Sequence, residues 1–106
     1  MTENIRPKVL YVDDETAQAE DMIALMPDTM DIELVADPAT AEKRFTENSY
    51  DLILMDIDLQ ADINGIELLR RVKEFDPELP VVMLTKFEDP SHIIESIKEG
   101  AFYYVT

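Results

Sequence analysis

Four short runs of almost unbroken apolar residues constrain most strongly how this chain of 106 residues can fold. The runs cover residues 9–12, 52–55, 81–84 and 102–105, and each has the length of a β-strand. Successive side chains of a strand point to opposite faces, so an unbroken apolar run predicts a strand that is buried on both faces of a parallel sheet. Residues 32–36 alternate more, with Glu33 between Ile32 and Leu34, and this pattern suits a strand at the edge of the sheet.

Segments with helical spacing separate these runs, which is the pattern of an α/β domain. The first segment has an apolar stripe formed by Ala19, Met22, Ile23 and Met26. Pro27 should end this helix. The third segment has a stripe formed by Leu68, Leu69, Val72 and Phe75, and its basic residues should face water.

The later helices have recognisable start and stop signals. Two Asp-Pro pairs predict an N-cap followed by proline at the first helical position: Asp37-Pro38 and Asp89-Pro90. The third helix should begin near Asn64-Gly65, and Gly100 should cap the end of the fourth. We therefore expect five strands alternating with four helices in a single domain over residues 1–106.

The composition excludes several classes of protein. Acidic residues outnumber basic ones by 24 to 9, and a net charge of -15 should repel nucleic acid and anionic lipid. The absence of Cys, with one His and two Gly, excludes thiolate zinc sites, HExxH motifs and Walker loops. The first residues lack a signal peptide, and no apolar run is long enough to span a membrane. We expect a cytoplasmic protein whose surface suits cationic partners or metal ions.

Polar residues stand at the carboxyl ends of three predicted strands. Asp13 and Asp14 follow the first apolar run, Asp56 follows the run at 52–55, and Thr85 follows the run at 81–84. Ligands of open parallel sheets bind at this edge. If these strands are neighbours, the three carboxylates lie close together, and a hard cation such as Mg²⁺ would relieve their repulsion.

A carboxylate beside such a cation can accept a phosphoryl group. Aspartate has a reference pKa of about 3.9, so it is ionised at neutral pH and needs no activating base. The metal would screen the charge of the incoming group. The sequence therefore predicts Asp56 as a phosphoacceptor, with Thr85 donating a hydrogen bond to a phosphoryl oxygen.

Four motifs resemble the receiver domain of two-component response regulators: YVDDE at 11–15, DLILMD at 51–56, VVMLT at 81–85 and GAFYYVT at 100–106. Their order and spacing agree with the family from Lys8 to Thr106. The resemblance implies Mg²⁺-dependent transfer of a phosphoryl group to Asp56 from a sensor histidine kinase or phosphotransfer protein. It implies a phosphoacceptor and not an enzyme, with self-phosphorylation and self-dephosphorylation at most.

The resemblance also implies roles for individual site residues. Asp14 and Asp56 would bind the metal directly, Asp13 would act largely through water, and the backbone carbonyl of Asp58 would complete the protein ligands. Thr85 and Tyr104 match the switch pair, which changes the surface beside the fourth helix and fifth strand. The implied fold is a flavodoxin-like, doubly wound parallel sheet of five strands in the order 2-1-3-4-5.

The sequence departs from the family near its end. The family has a Lys immediately after the position of Thr106 and then a last helix, so we expect a truncated receiver domain. An output domain would lie beyond residue 106, and the apolar face left by the missing helix would favour a homodimer. Lys86 is the only basic residue beside the predicted site.

Other interpretations stay open from the sequence. The chain could be a receiver-like interaction module that takes no phosphate, and Asp14 or Thr16 could merely cap the first helix. Asp56-Ile57-Asp58 also resembles the DxD motif of haloacid-dehalogenase-type phosphatases, although that fold needs a longer chain. The segment from Asp56 to Glu67 imitates a calcium loop, but an apolar strand-like run precedes it in place of a helix.

Overall fold

A computed structural model describes residues 6–26, 28–56, 64–84, 98–101 and 103–105, with side chains described up to residue 101. The strands are β1 (Lys8–Val12), β2 (Asp31–Val35), β3 (Leu52–Asp56), β4 (Val81–Leu84) and β5 (Tyr103–Val105). The helices in these ranges are α1 (Thr16–Leu25), α2 (Pro38–Glu47) and α3 (Gly65–Phe75). The helix predicted to follow Asp89-Pro90 lies mostly outside the described residues.

The five strands form one parallel sheet in the order β2-β1-β3-β4-β5, which confirms the predicted winding. Val12, the last residue of β1, pairs with Met55 of β3, and Asp56 pairs with Leu84 of β4. The strand ends are therefore level, and the residues that follow β1, β3 and β4 meet at the carboxyl edge of the sheet.

The sheet has an apolar core on each face, as the unbroken apolar runs predicted. On one face, α2 and α3 pack over a cluster that includes Leu10, Val12, Ile53, Met55, Val81 and Met83. On the other face, Ala19 of α1 packs with Val9, Tyr11, Leu54 and Val82. Neighbouring residues of β1 alternate between the two clusters because side chains along a strand point to opposite faces.

Local capping signals define where α2 and α3 begin. The Asp37 carboxylate accepts a hydrogen bond from the backbone N–H of Thr40 at 2.7 Å, and Pro38 is the first helical residue. The Asn64 side chain accepts from the N–H of Glu67 at 3.0 Å. Gly100 has a φ of 96°, the left-handed conformation expected of a helix-ending glycine. These predictions of helix boundaries are confirmed.

The predicted apolar stripe of α1 is only partly buried. Ala19 is the buried residue of this helix, whereas Met22 is 42% exposed and Leu25 is 87% exposed. Residues 22–26 are all apolar, so this end of the helix carries apolar side chains on several faces, and one sheet cannot cover all of them.

Phe75 was predicted as a core residue of α3, and this prediction is wrong. Leu68, Leu69 and Val72 are completely buried, but Phe75 is 53% exposed. It lies on the last turn of α3, near the amino edge of the sheet, and packs against Phe45 with ring centroids 5.8 Å apart. The apolar spacing of α3 continues into a turn of the helix that the sheet does not cover, and Phe75 lies on that turn.

The helices in the described ranges include none that is both long enough and apolar enough to cross a membrane.

Candidate functional site

Three carboxylates converge at the carboxyl edge of the sheet. Asp13 and Asp14 follow β1, and Asp56 is the last residue of β3. One carboxylate oxygen from each residue can be chosen such that all three lie within 4.8 Å of one another. Asp13 is buried, with 9% of its surface exposed, and the other two are half-buried. The parallel register of β1 and β3 produces this convergence, as the sequence predicted.

Hydrogen bonds hold Asp13 in place. Its Oδ1 atom accepts from the backbone N–H of Glu15 at 2.9 Å, and its Oδ2 atom accepts from the hydroxyl of Tyr11 at 3.3 Å. The backbone N–H of Asp13 donates to the carbonyl of Val35 at 3.0 Å. These contacts fix the direction of the most deeply buried carboxylate in the site.

Tyr11 is a site residue that the sequence analysis missed. Burial raises its pKa to about 12, and the negative charge and hydrogen bond of Asp13 and the charge of Asp56 act in the same direction. Tyr11 therefore stays protonated and donates to Asp13 at neutral pH. The sequence held a signal, since Tyr11 is an aromatic residue in an aliphatic strand, two positions before Asp13.

Helix capping does not account for the acidic pair after β1. The N-cap residue of α1 is Glu15, and it makes no side-chain capping hydrogen bond. Asp13 instead binds the N–H two residues later. Glu15 therefore occupies the N-cap position, which the sequence analysis had assigned to Asp14 or Thr16 as an alternative.

The carboxylate oxygens suit a hard divalent cation. Mg²⁺ binds oxygen ligands at about 2.0–2.1 Å, so two of its ligands lie at most about 4.2 Å apart. The separations within 4.8 Å among Asp13, Asp14 and Asp56 come close to this span, and small side-chain adjustments would close them. Three clustered carboxylates also repel one another, which favours a bound cation. The three carboxylates could therefore hold a metal ion.

The other predicted site residues are described less fully. Thr85, Asp58 and Lys86 lie outside the described residues. Tyr104 is the middle residue of β5, where its backbone pairs with Met83 of β4. Thr85 follows Leu84 directly in the sequence, and Leu84 is the residue that pairs with Asp56.

Known proteins resemble this chain over nearly its whole length. A family model described as response regulator receiver domain matches residues 9–106. The response regulator protein VraR of Staphylococcus epidermidis is 33% identical over 101 residues, which cover 92% of this chain and 48% of VraR. The transcriptional regulatory protein ZraR of Klebsiella oxytoca is 31% identical over 98 residues, covering 92% of this chain and 22% of ZraR. The chain thus spans about half or less of these relatives.

A solved structure agrees with the sequence matches. The crystal structure of a response regulator receiver domain protein from Clostridium thermocellum superposes with a TM-score of 0.84 at 29% identity. The superposition covers 93% of this chain and 80% of that one.

Proposed function

The chain belongs to the response regulator receiver domain family, and on that premise we propose that Asp56 accepts a phosphoryl group from a sensor histidine kinase or phosphotransfer protein. The chain is a signalling domain rather than a classical enzyme. The observation that carries the proposal is the convergence of Asp13, Asp14 and Asp56 at one edge of the sheet.

The transfer is a balanced exchange of bonds at phosphorus. A carboxylate oxygen of Asp56 bonds to phosphorus while the bond from phosphorus to the imidazole nitrogen of the donor histidine breaks, and the electron pair leaves with the imidazole. The product is an acyl phosphate on Asp56. Bound Mg²⁺ would supply charge neutralisation and coordination of the phosphoryl oxygens.

The hydrogen bonds of Asp13 bear on the role of this carboxylate at the metal. Asp13 already accepts from Tyr11 and from the backbone of Glu15, so it suits a contact with the metal through water. In our proposal Asp14 and Asp56 bind the metal directly, and the backbone carbonyl of Asp58 completes the protein ligands.

The response to phosphorylation would pass through β4 and β5. Thr85 follows the strand that pairs with Asp56, so we propose that its hydroxyl donates to a phosphoryl oxygen. Tyr104 lies on β5, the next strand along the sheet. We propose that Thr85 and Tyr104 act together and change the surface beside the fourth helix and β5. The phosphoryl group would carry nearly two negative charges in place of the single charge of the Asp56 carboxylate.

Intact mass spectrometry after incubation with Mg²⁺ and acetyl phosphate tests the acceptor. We expect the wild-type chain to gain the mass of one phosphoryl group and Asp56→Asn to gain none. Asp21→Asn is the matched control, because Asp21 is an exposed aspartate on α1 outside the carboxylate cluster, and it should react like wild type. Absence of the adduct on wild type would favour an interaction module that takes no phosphate. Equal labelling of wild type and Asp56→Asn would show that a residue other than Asp56 accepts the phosphoryl group.

Thermal and urea unfolding test the metal site separately. A cation that binds only the folded chain adds about 2.7 kcal/mol to the free energy of unfolding at about 100 times its dissociation constant. We expect Mg²⁺ to stabilise wild type and Asp21→Asn, and to stabilise Asp14→Asn much less. Full stabilisation of Asp14→Asn by Mg²⁺ would contradict direct ligation by Asp14.

A further inference from the structure

A second concave surface lies at the amino edge of the sheet, opposite the carboxylate site. It is a cleft of about 350 Å³ between the last turns of α2 and α3 and the loops that lead into β3 and β4. We call it the α2–α3 groove. Its principal lining residues are Phe45, Glu47, Tyr50, Phe75, Asp76 and Leu79.

Aromatic side chains form one wall of the groove. Phe45 is buried, and Phe75 packs against it with an interplanar angle of 56°. Phe75 is nevertheless 53% exposed, although the other apolar residues of the α3 stripe are completely buried. Part of the Phe75 side chain is therefore accessible to a molecule that binds in the groove.

Three polar residues that line the groove donate hydrogen bonds within the protein. The hydroxyl of Thr46 donates to the carbonyl of Glu42 at 2.8 Å, and the side-chain amide of Asn48 donates to the carbonyl of Arg44 at 3.1 Å. The hydroxyl of Tyr50 donates to Glu33 at 2.9 Å. Each of these groups keeps acceptor atoms that an incoming donor can use.

The charge of the groove is negative. Glu47 and Asp76 contribute two carboxylates, whereas the nearby Lys73 contributes one positive charge and donates to the carbonyl of Leu79 at 2.7 Å. Both helices end here, α2 at Glu47 and α3 at Phe75, so the negative ends of two helix dipoles add to the same field. The groove thus combines an exposed aromatic ring, spare acceptors and negative charge.

We propose that the α2–α3 groove binds an arginine side chain from a basic segment of a partner protein. A guanidinium group is planar, stacks on aromatic rings and presents five donors in a fixed arrangement. It would stack on Phe75 while donating to the carboxylates of Glu47 and Asp76. A neutral side chain would lack the positive charge that attracts these carboxylates, and an anionic side chain would be repelled by them.

NMR titration with a small cationic probe tests this site without knowledge of the partner. The probe is the tripeptide Ala-Arg-Ala with acetylated and amidated ends, and its control carries citrulline, a neutral analogue of arginine. We expect saturable shifts of the backbone amides of Ser49, Tyr50 and Asp76 with the arginine peptide only. Equal shifts with the citrulline peptide, or arginine-dependent shifts spread over all acidic surfaces, would overturn the proposal.

Variants show which groups bind the probe. Phe75→Leu, Glu47→Gln and Asp76→Asn should each weaken binding by roughly two- to fivefold, as expected for exposed cation–π contacts and ion pairs. Glu74→Gln is the matched control, because Glu74 is an exposed acid on the same turn of α3 outside the groove. Glu74→Gln removes one negative charge, as Glu47→Gln does.

The amide spectrum of each variant first establishes that the variant is folded. Binding that weakens as much in Glu74→Gln as in Glu47→Gln and Asp76→Asn would show attraction by net charge alone and would overturn the groove proposal. An Asp56→Asn chain should bind the probe normally, so the outcome at the groove is independent of the outcome at the phosphoacceptor site.

Discussion

Tyr50 illustrates how one residue outside the carboxylate site couples the stability of this chain to pH. Its hydroxyl donates to Oε1 of Glu33 on the edge strand β2 at 2.9 Å, and Oε2 of Glu33 pairs with Arg44 of α2 at 2.7 Å. Burial raises the pKa of Tyr50 to about 12, and the hydrogen bond and charge of Glu33 act in the same direction. The folded chain therefore holds this proton more tightly than the unfolded chain does.

The contribution of Tyr50 to stability should disappear at high pH. Below a pH of about 10, the tyrosine is protonated in both states and the contribution is complete. Between a pH of about 10 and about 12, the unfolded chain loses the proton and the folded chain keeps it, so the free energy of unfolding falls. Urea unfolding across this range should show a shallower fall for Tyr50→Phe than for wild type.

The comparison of the two chains isolates Tyr50, because every other ionisable group is present in both. Parallel curves for wild type and Tyr50→Phe across this pH range would show that the phenol of Tyr50 ionises equally easily in the folded and unfolded chain.

At the scale of elements, the N-cap of α2 was predicted from the sequence, and its contribution to the free energy of unfolding can be measured. Asp37 accepts from both the backbone N–H and the hydroxyl of Thr40, at 2.7 Å and 2.9 Å. Asp37→Ala leaves this N–H without its partner and should lower the free energy of unfolding by about 1 kcal/mol. Asp37→Ser keeps a capping oxygen and should retain most of the stability. Equal urea midpoints for Asp37→Ala and wild type would show that the cap contributes nothing.

The elements that could be predicted were those with a local cause. Asp37-Pro38 and Asn64 specify helix starts through bonds that span three residues, and the apolar runs specify strands through burial on both faces. The convergence of Asp13 and Asp56 was also predictable, because a parallel sheet brings the carboxyl ends of adjacent strands together. The roles of these residues in phosphoryl transfer stay a prediction.

Features that depend on where one element ends relative to another could not be predicted. The exposure of Phe75 depends on how far α3 extends past the sheet, and the exposure of Leu25 depends on how much of α1 the sheet covers. The hydrogen bond from Tyr11 to Asp13 depends on side-chain rotation at the strand end. Hydrophobic periodicity does not specify how far a helix extends past the sheet or how a side chain rotates at the end of a strand.

At the scale of the whole molecule, the net charge of -15 opposes folding because it gathers like charges into a compact particle. Local ion pairs offset part of this cost. Arg70 makes two contacts with Glu99, at 3.1 Å and 3.2 Å, and Arg71 binds Glu42 at 3.0 Å. With 24 acidic residues and 9 basic ones, most carboxylates still lack a basic residue of their own.

Monovalent salt should therefore stabilise the chain. Raising the ionic strength from about 0.01 M to about 0.1 M shortens the Debye length from about 30 Å to about 10 Å, which screens repulsion between distant carboxylates. We expect the free energy of unfolding to rise by on the order of 1 kcal/mol in potassium chloride with chelator present. Chelator removes divalent ions, so the effect reports general screening. Unchanged or lower stability would show that the ion pairs outweigh the net repulsion.

The all-parallel pairing of the described strands also affects how quickly the chain can fold. No two neighbouring strands can be joined by a tight hairpin, because parallel strands need a crossover connection. At the amino edge of the sheet, the backbone N–H of Lys8 donates to the carboxylate of Asp51, 43 residues away. The chain loses conformational entropy when it closes these long loops, and the sheet contacts that offset this loss form only afterwards. Refolding should therefore be slower than for a helical bundle of this length.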